Sequence, residues 1–190
     1  MEVCMGLIRH FRKRSFLTYK LNSMISPEYW LRGPVPNIPP LLQPVAHALL
    51  QSRDEITDAV KDIPGSLLWQ KPGGSASVAF HLQHVAGVVD RLFTYAKGEQ
   101  LSQLQMDYLK MEGKEDITIP LDSFLMHLNN QVNQALQQLQ NTTEKSLLDY
   151  RVVGRKKIPS NVIGLLFHAA EHVQRHTGQL LVTVKIVKAH

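Results

Sequence analysis

Between Val78 and Ala96 the apolar residues fall at Val78, Leu82, Val85, Val89, Leu92 and Ala96, and steps of three or four gather such a set into one stripe only on an α-helix. No feature of the chain restricts its fold more, because the pattern recurs three times. Leu42, Val45, Leu49, Ile56 and Val60 repeat it. So do Leu121, Phe124, Leu128, Val132, Leu136 and Leu139, and so do Val162, Leu166, Ala169, Val173, His176, Leu180 and Val184. Each stripe must be covered by another element. Four stripes on four long helices with short to moderate connections predict an all-α fold, an antiparallel four-helix bundle.

Proline and glycine set the boundaries. RGPVPNIPP cannot be regular helix and ends at Pro40, so the first helix is expected over 41–61, closed by Pro64-Gly65. The second is expected over 76–97, after KPGGS, with Gly98 in the position of a C-cap. Residues 101–117 predict a short additional helix (LSQLQMDYLKM) and a polar turn (EGKED). A third long helix follows Pro120. RVVGRKKIP predicts an extended or hairpin excursion around Gly154, its basic residues forming a solvated loop. Ser160 is the expected N-cap of the last helix. The domain so defined spans 41–190, preceded by a proline-rich lead-in over 24–40.

Residues 1–23 hold five of the 21 Lys and Arg and one of the 16 acids, so this leader carries +4 of the net charge of +5. The remainder is nearly neutral, which removes the basic face that nucleic-acid binding requires. Arg9, Arg12, Lys13 and Arg14 interrupt any signal-peptide core. The leader is read as a flexible extension or the product of an upstream start, with Met24 the expected first residue. The chain contains no apolar run of 18 residues, so no membrane span is expected. The single cysteine, Cys4, precludes an internal disulfide and agrees with a cytoplasmic location. In a chain of 190 residues, 44% hydrophobic content suffices for a core without disulfides.

Chemistry concentrates in the histidines. His168, His172 and His176 stand four apart, one above the other on a helix face. His168 and His176 are about 12 Å apart along the axis, too far to share an ion, so the row offers two alternative pairs. His176 lies nearest the centre of the apolar stripe and His172 next, which favours His172 with His176. A further ligand must come from a neighbouring helix, and the second helix carries His81 and His84. The helical wheel alone selects His81, which lies nearer that helix's apolar centre. A face bordering a cavity need not be the face that packs, so His84 remains open.

Other metal motifs fit less well. No Glu or Asp stands three residues before these histidines, as di-iron bundles require. His168-Ala-Ala-Glu171-His172 matches the H-x-x-E-H of inverted zinc peptidases, but no Asp or Glu follows Glu171 to complete that site. Phosphate-binding glycine loops and a G-x-S-x-G elbow are absent from the sequence.

SVAFHLQHVAG on the second helix and HVQRHTGQLL on the fourth resemble the DinB and YfiT-like family of metal-binding four-helix bundles. The likeness runs from about Leu41 to Val187 and includes Trp69, Gly73 and Gly74 before the second helix, His84-Val85-Ala86, and the last-helix set His172, His176, Gly178 and Gln179. Thr177 departs from the arginine common there, and the leader has no family counterpart. Carried over position by position, the resemblance places the metal ligands on His84, His172 and His176 and leaves His81 and His168 as neighbours.

Three imidazoles leave a coordination position for water or substrate, as catalytic sites do. Zinc or nickel is the expected ion. Gln179 shares the face of His172 and His176 and is expected to hydrogen-bond a ligand or orient substrate. Several relatives are similar to thiol transferases, so the resemblance implies transfer of a low-molecular-weight thiol to an electrophile. Metal-dependent hydrolysis and a non-catalytic metal-binding bundle stand as alternatives. The expected partner is a small-molecule substrate, with a homodimer allowed and neither nucleic acid nor membrane involved.

Overall fold

The computed structural model describes residues 27–189; the leader, Cys4 and Met24 lie outside them. Among the described residues the chain forms five α-helices and one hairpin: α1 (Gln43–Val60), α2 (Val78–Ala96), α3 (Gln103–Met111), α4 (Leu121–Asn141), β1 (Tyr150–Val153), β2 (Ile158–Asn161) and α5 (Val162–Ala189). The protein is mostly helical. No described helix is long and apolar enough to cross a membrane.

The four long helices pack in a ring, α1 on α5, α5 on α2, α2 on α4 and α4 on α1. Each contributes a fully buried leucine or more to one core, among them Leu49, Leu82, Leu128 and Leu166. The predicted stripes are therefore the faces that meet. Burying one such side chain removes it from water at a gain of about 1.5–3 kcal/mol.

The element ends follow local chemistry. The Oγ of Ser77 accepts from the N–H of Phe80 and opens α2. Gly98, at φ +84°, ends it in a conformation that side-chain-bearing residues resist. Ser102 and Gln105 form a reciprocal capping box on α3. α1 starts later than expected, because Pro40–Leu42 forms a 3-10 turn first.

Two sequence expectations need correction. The hairpin expected around Gly154 does form, as an antiparallel ladder with Tyr150 opposite Asn161 and Val153 opposite Ile158, and it is the all-α expectation that changes, since a small two-stranded sheet accompanies the helices. As a result Ser160 does not cap α5. It is still paired with Arg151 in the ladder, and the next residue, Asn161, caps instead, its Oδ1 accepting from the N–H of Gly164 at 2.7 Å. The hairpin is tied to α2 where Arg151 Nε donates to the Ala96 carbonyl at 2.8 Å.

Candidate metal centre

α2 and α5 form one of the ring's contacts, and both histidine groups face their seam. His84 Nε2 and His172 Nε2 are 3.0 Å apart. The His176 ring lies 4.4 Å from that of His84 and 4.7 Å from that of His172, centroid to centroid. One nitrogen from each of His84, His172 and His176 lies within 4.8 Å of the others, and all three side chains are partly buried. This group could hold a metal ion.

The surroundings fit that use. Nitrogens on one tetrahedral zinc stand roughly 3.3 Å apart, so the His84–His172 pair is already close to ligand spacing. His172 opposes His84 with Nε2, and its buried Nδ1 has no hydrogen-bond partner, so neither ring nitrogen is engaged by a carboxylate or a carbonyl. Burial holds the pKa of His172 below its ordinary value. Burial, then the nearby His84, pushes His81 and His176 down to about 4. These three imidazoles are therefore neutral at pH 7, the form that ligates.

His84 is held from behind. Its Nδ1 lies 2.7 Å from Glu112 Oε2, and a carboxylate only accepts, so Nδ1 carries the proton and Nε2 presents its lone pair to the seam. Glu112 is itself buried, and its Oε1 accepts from Arg91 Nη1. A carboxylate that fixes the ring of a ligating histidine is the usual support of a metal site. Gly87 makes room for it. A Cβ there would stand 2.4 Å from Glu112 Oε1 and 2.5 Å from Arg91 Nη1. Phe80 stacks on the His84 ring at 5.2 Å and 12°, which restrains it further.

The other predicted residues separate. His81 is buried, and its Nδ1 lies 3.1 Å from His176 Nδ1. It stands behind His176 as Glu112 stands behind His84, and it is not part of the three-histidine group. His168 is half exposed at the mouth of the seam, hydrogen-bonded to Glu171 at 2.6 Å. His168, Glu171 and His172 form a second group close enough for an ion, but both Glu171 oxygens are already engaged, by His168 and Arg175. Gln179 is exposed.

Glu112, Arg91 and Gly87 are the residues that sequence reading missed. Arg91 had a signal: it lies seven residues after His84, two turns along the same face, and a buried guanidinium there requires an acid. Glu112 had none, since it lies in a segment that reads as a polar turn.

The DinB superfamily model matches residues 48–180, well over half of the chain and a span that includes every residue of the site. No curated protein matches the chain.

Proposed function

We propose that this chain, which belongs to the DinB superfamily, is a four-helix-bundle metalloenzyme that holds one divalent ion, zinc or nickel, on His84, His172 and His176. The reaction assigned to it is the joining of a low-molecular-weight thiol to an electrophile. The observation that carries the reading is the convergence of three imidazoles from two helices, with His84 turned towards its partners by Glu112. The ring of four long helices supports the bundle. The small hairpin is an addition to it.

Bound there, a divalent ion would supply Lewis acidity, lowering the pKa of a thiol from its free value of about 8.5 so that nucleophile exists at neutral pH. The chain's own residues do the rest. Glu112 keeps the proton of His84 on Nδ1, and His81 engages Nδ1 of His176, which leaves Nε2 of these two ligands for the seam. Phe80 covers the His84 ring and excludes water from that side. Transfer forms one sulfur–carbon bond and breaks one bond from that carbon to a leaving group, which departs with the electron pair while the thiol proton passes to solvent.

Elemental analysis of the protein as isolated should find about one divalent ion per chain. The loaded protein, supplied with a thiol and an activated electrophile, should then turn over, and ethylenediaminetetraacetate should stop it. Metal-dependent cleavage of an ester or amide panel, with no thiol transfer, would assign a hydrolase instead. A bound ion with neither activity would assign a binding protein.

A further inference from the structure

Beside the three histidines lies a cavity of about 280 Å³, slightly smaller than the roughly 300–1,000 Å³ of typical ligand sites. His84 and His172 form one end of it. From His84 its floor runs along α2 through Val88, Leu92 and Tyr95, positions that share one face of the helix. Leu101 and Leu109 close it from the α3 side and Val153 from the hairpin. Arg91 is the one lysine, arginine or acid in this lining, and its charge is already matched by Glu112; His168, also in the lining, is already hydrogen-bonded to Glu171.

The chemistry of the lining decides what it can hold. Apolar walls favour an apolar body at about fourfold in affinity per buried methylene. Away from the end at His84 and His172, a ligand carboxylate or phosphate would be desolvated with no free cation to receive it. We propose that this cavity binds the uncharged, apolar-bodied co-substrate of the site, its reactive end at His84 and His172 and its body along Val88, Leu92 and Tyr95. The orientation of the reactive end rests on the metal-centre reading above; the binding of the body does not. A charged biological thiol would keep its ionic groups outside, so the pocket selects the electrophile.

Neutral 1-alkanols from propanol to octanol, titrated into the full chain stripped of metal, test this by nuclear magnetic resonance of the methyl groups. The Val88, Leu92, Leu101, Leu109 and Val153 signals should shift saturably while that of Val132, buried in the core away from the cavity, stays still. Affinity should rise about fourfold per methylene until the cavity is full, and hexanoate should bind at least tenfold more weakly than hexanol. Leu109 is partly exposed, so Leu109→Asp should leave the melting temperature nearly unchanged and abolish the chain-length dependence; Val153→Asp serves as a second variant. Failure to see saturable shifts, or hexanoate binding as well as hexanol, would overturn the inference. In a second arm, cobalt-loaded protein with butanethiol should develop a sulfur-to-cobalt charge-transfer band. Alkanol binding without any cobalt uptake would refute the metal centre and leave the pocket standing.

Discussion

At His84 a hydrogen bond decides the chemistry, because an imidazole whose Nδ1–H donates to Glu112 has only Nε2 to offer a cation. Glu112→Gln removes that charge-assisted bond, and the loss of such support typically costs 10–100-fold in metal affinity. Competition with a chelator of known affinity should show a loss in that range, with the fold intact by circular dichroism. Gly87→Ala should weaken binding in the same direction, since the added Cβ pushes into the Glu112–Arg91 pair. Removing a ligand itself is more severe: His84→Ala, His172→Ala and His176→Ala should each abolish the stoichiometric ion, because two remaining ligands do not close a tight site. His81→Ala and His168→Ala should retain it. Retention in His176→Ala together with loss in His168→Ala would move the site to the His168–Glu171–His172 group. The spacing of the histidines on α5 was legible from sequence alone, as was the need for a partner on α2. The choice between His81 and His84 was not legible from the wheel. His81 points into the packed face and is more buried, whereas His84 occupies the edge where α3 leaves a cavity.

The elements themselves could be read with less difficulty, because each long helix buries a stripe that three-or-four spacing reveals, and several helix ends coincide with Pro, Gly or a capping serine. α2 shows the rule in full: Ser77 opens it, Gly98 closes it, and its stripe is core. The hairpin shows the limit. RVVGRKKIP announces an extended or hairpin excursion around Gly154, but it has too few alternating residues to fix the register, and its pairing depends on docking beside α2 and α5. That pairing moves the start of α5 from Ser160 to Asn161. Asn161→Ala should therefore cost about 1 kcal/mol, the usual worth of an N-cap. Ser160→Ala, in the ladder, should stay within roughly 0.5 kcal/mol. Urea unfolding of the two variants measures the difference directly, and equal losses would argue against Asn161 as the cap.

Among the described residues the molecule holds four histidines, His81, His127, His172 and His176, below their ordinary pKa of 6.5, burial being the first cause at each. In the unfolded chain the same groups titrate near 6.5. Below that pH the unfolded chain binds more protons than the folded one, so stability must fall with acidification. The contribution is fully present above about pH 6.5 and is lost towards the folded values, about 4 for His81 and His176. Measured between pH 7.5 and 5, where most carboxylates stay ionised, the melting temperature of metal-free protein should drop steadily. His127 separates general burial from the metal centre: it lies on α4 with its ring 5.0 Å from Tyr108, outside the three-histidine group. Metal-free His127→Gln should show a shallower drop, having lost one of the four groups. Zinc added to the native sequence at pH 7.5 should raise the melting temperature by binding only the folded state, and that gain should shrink on the way to pH 5 as protons compete for the ligand nitrogens. A melting temperature independent of pH in the metal-free protein would mean that these imidazoles are not buried neutral in solution, and the arrangement of α2 against α5 around them would have to be revised.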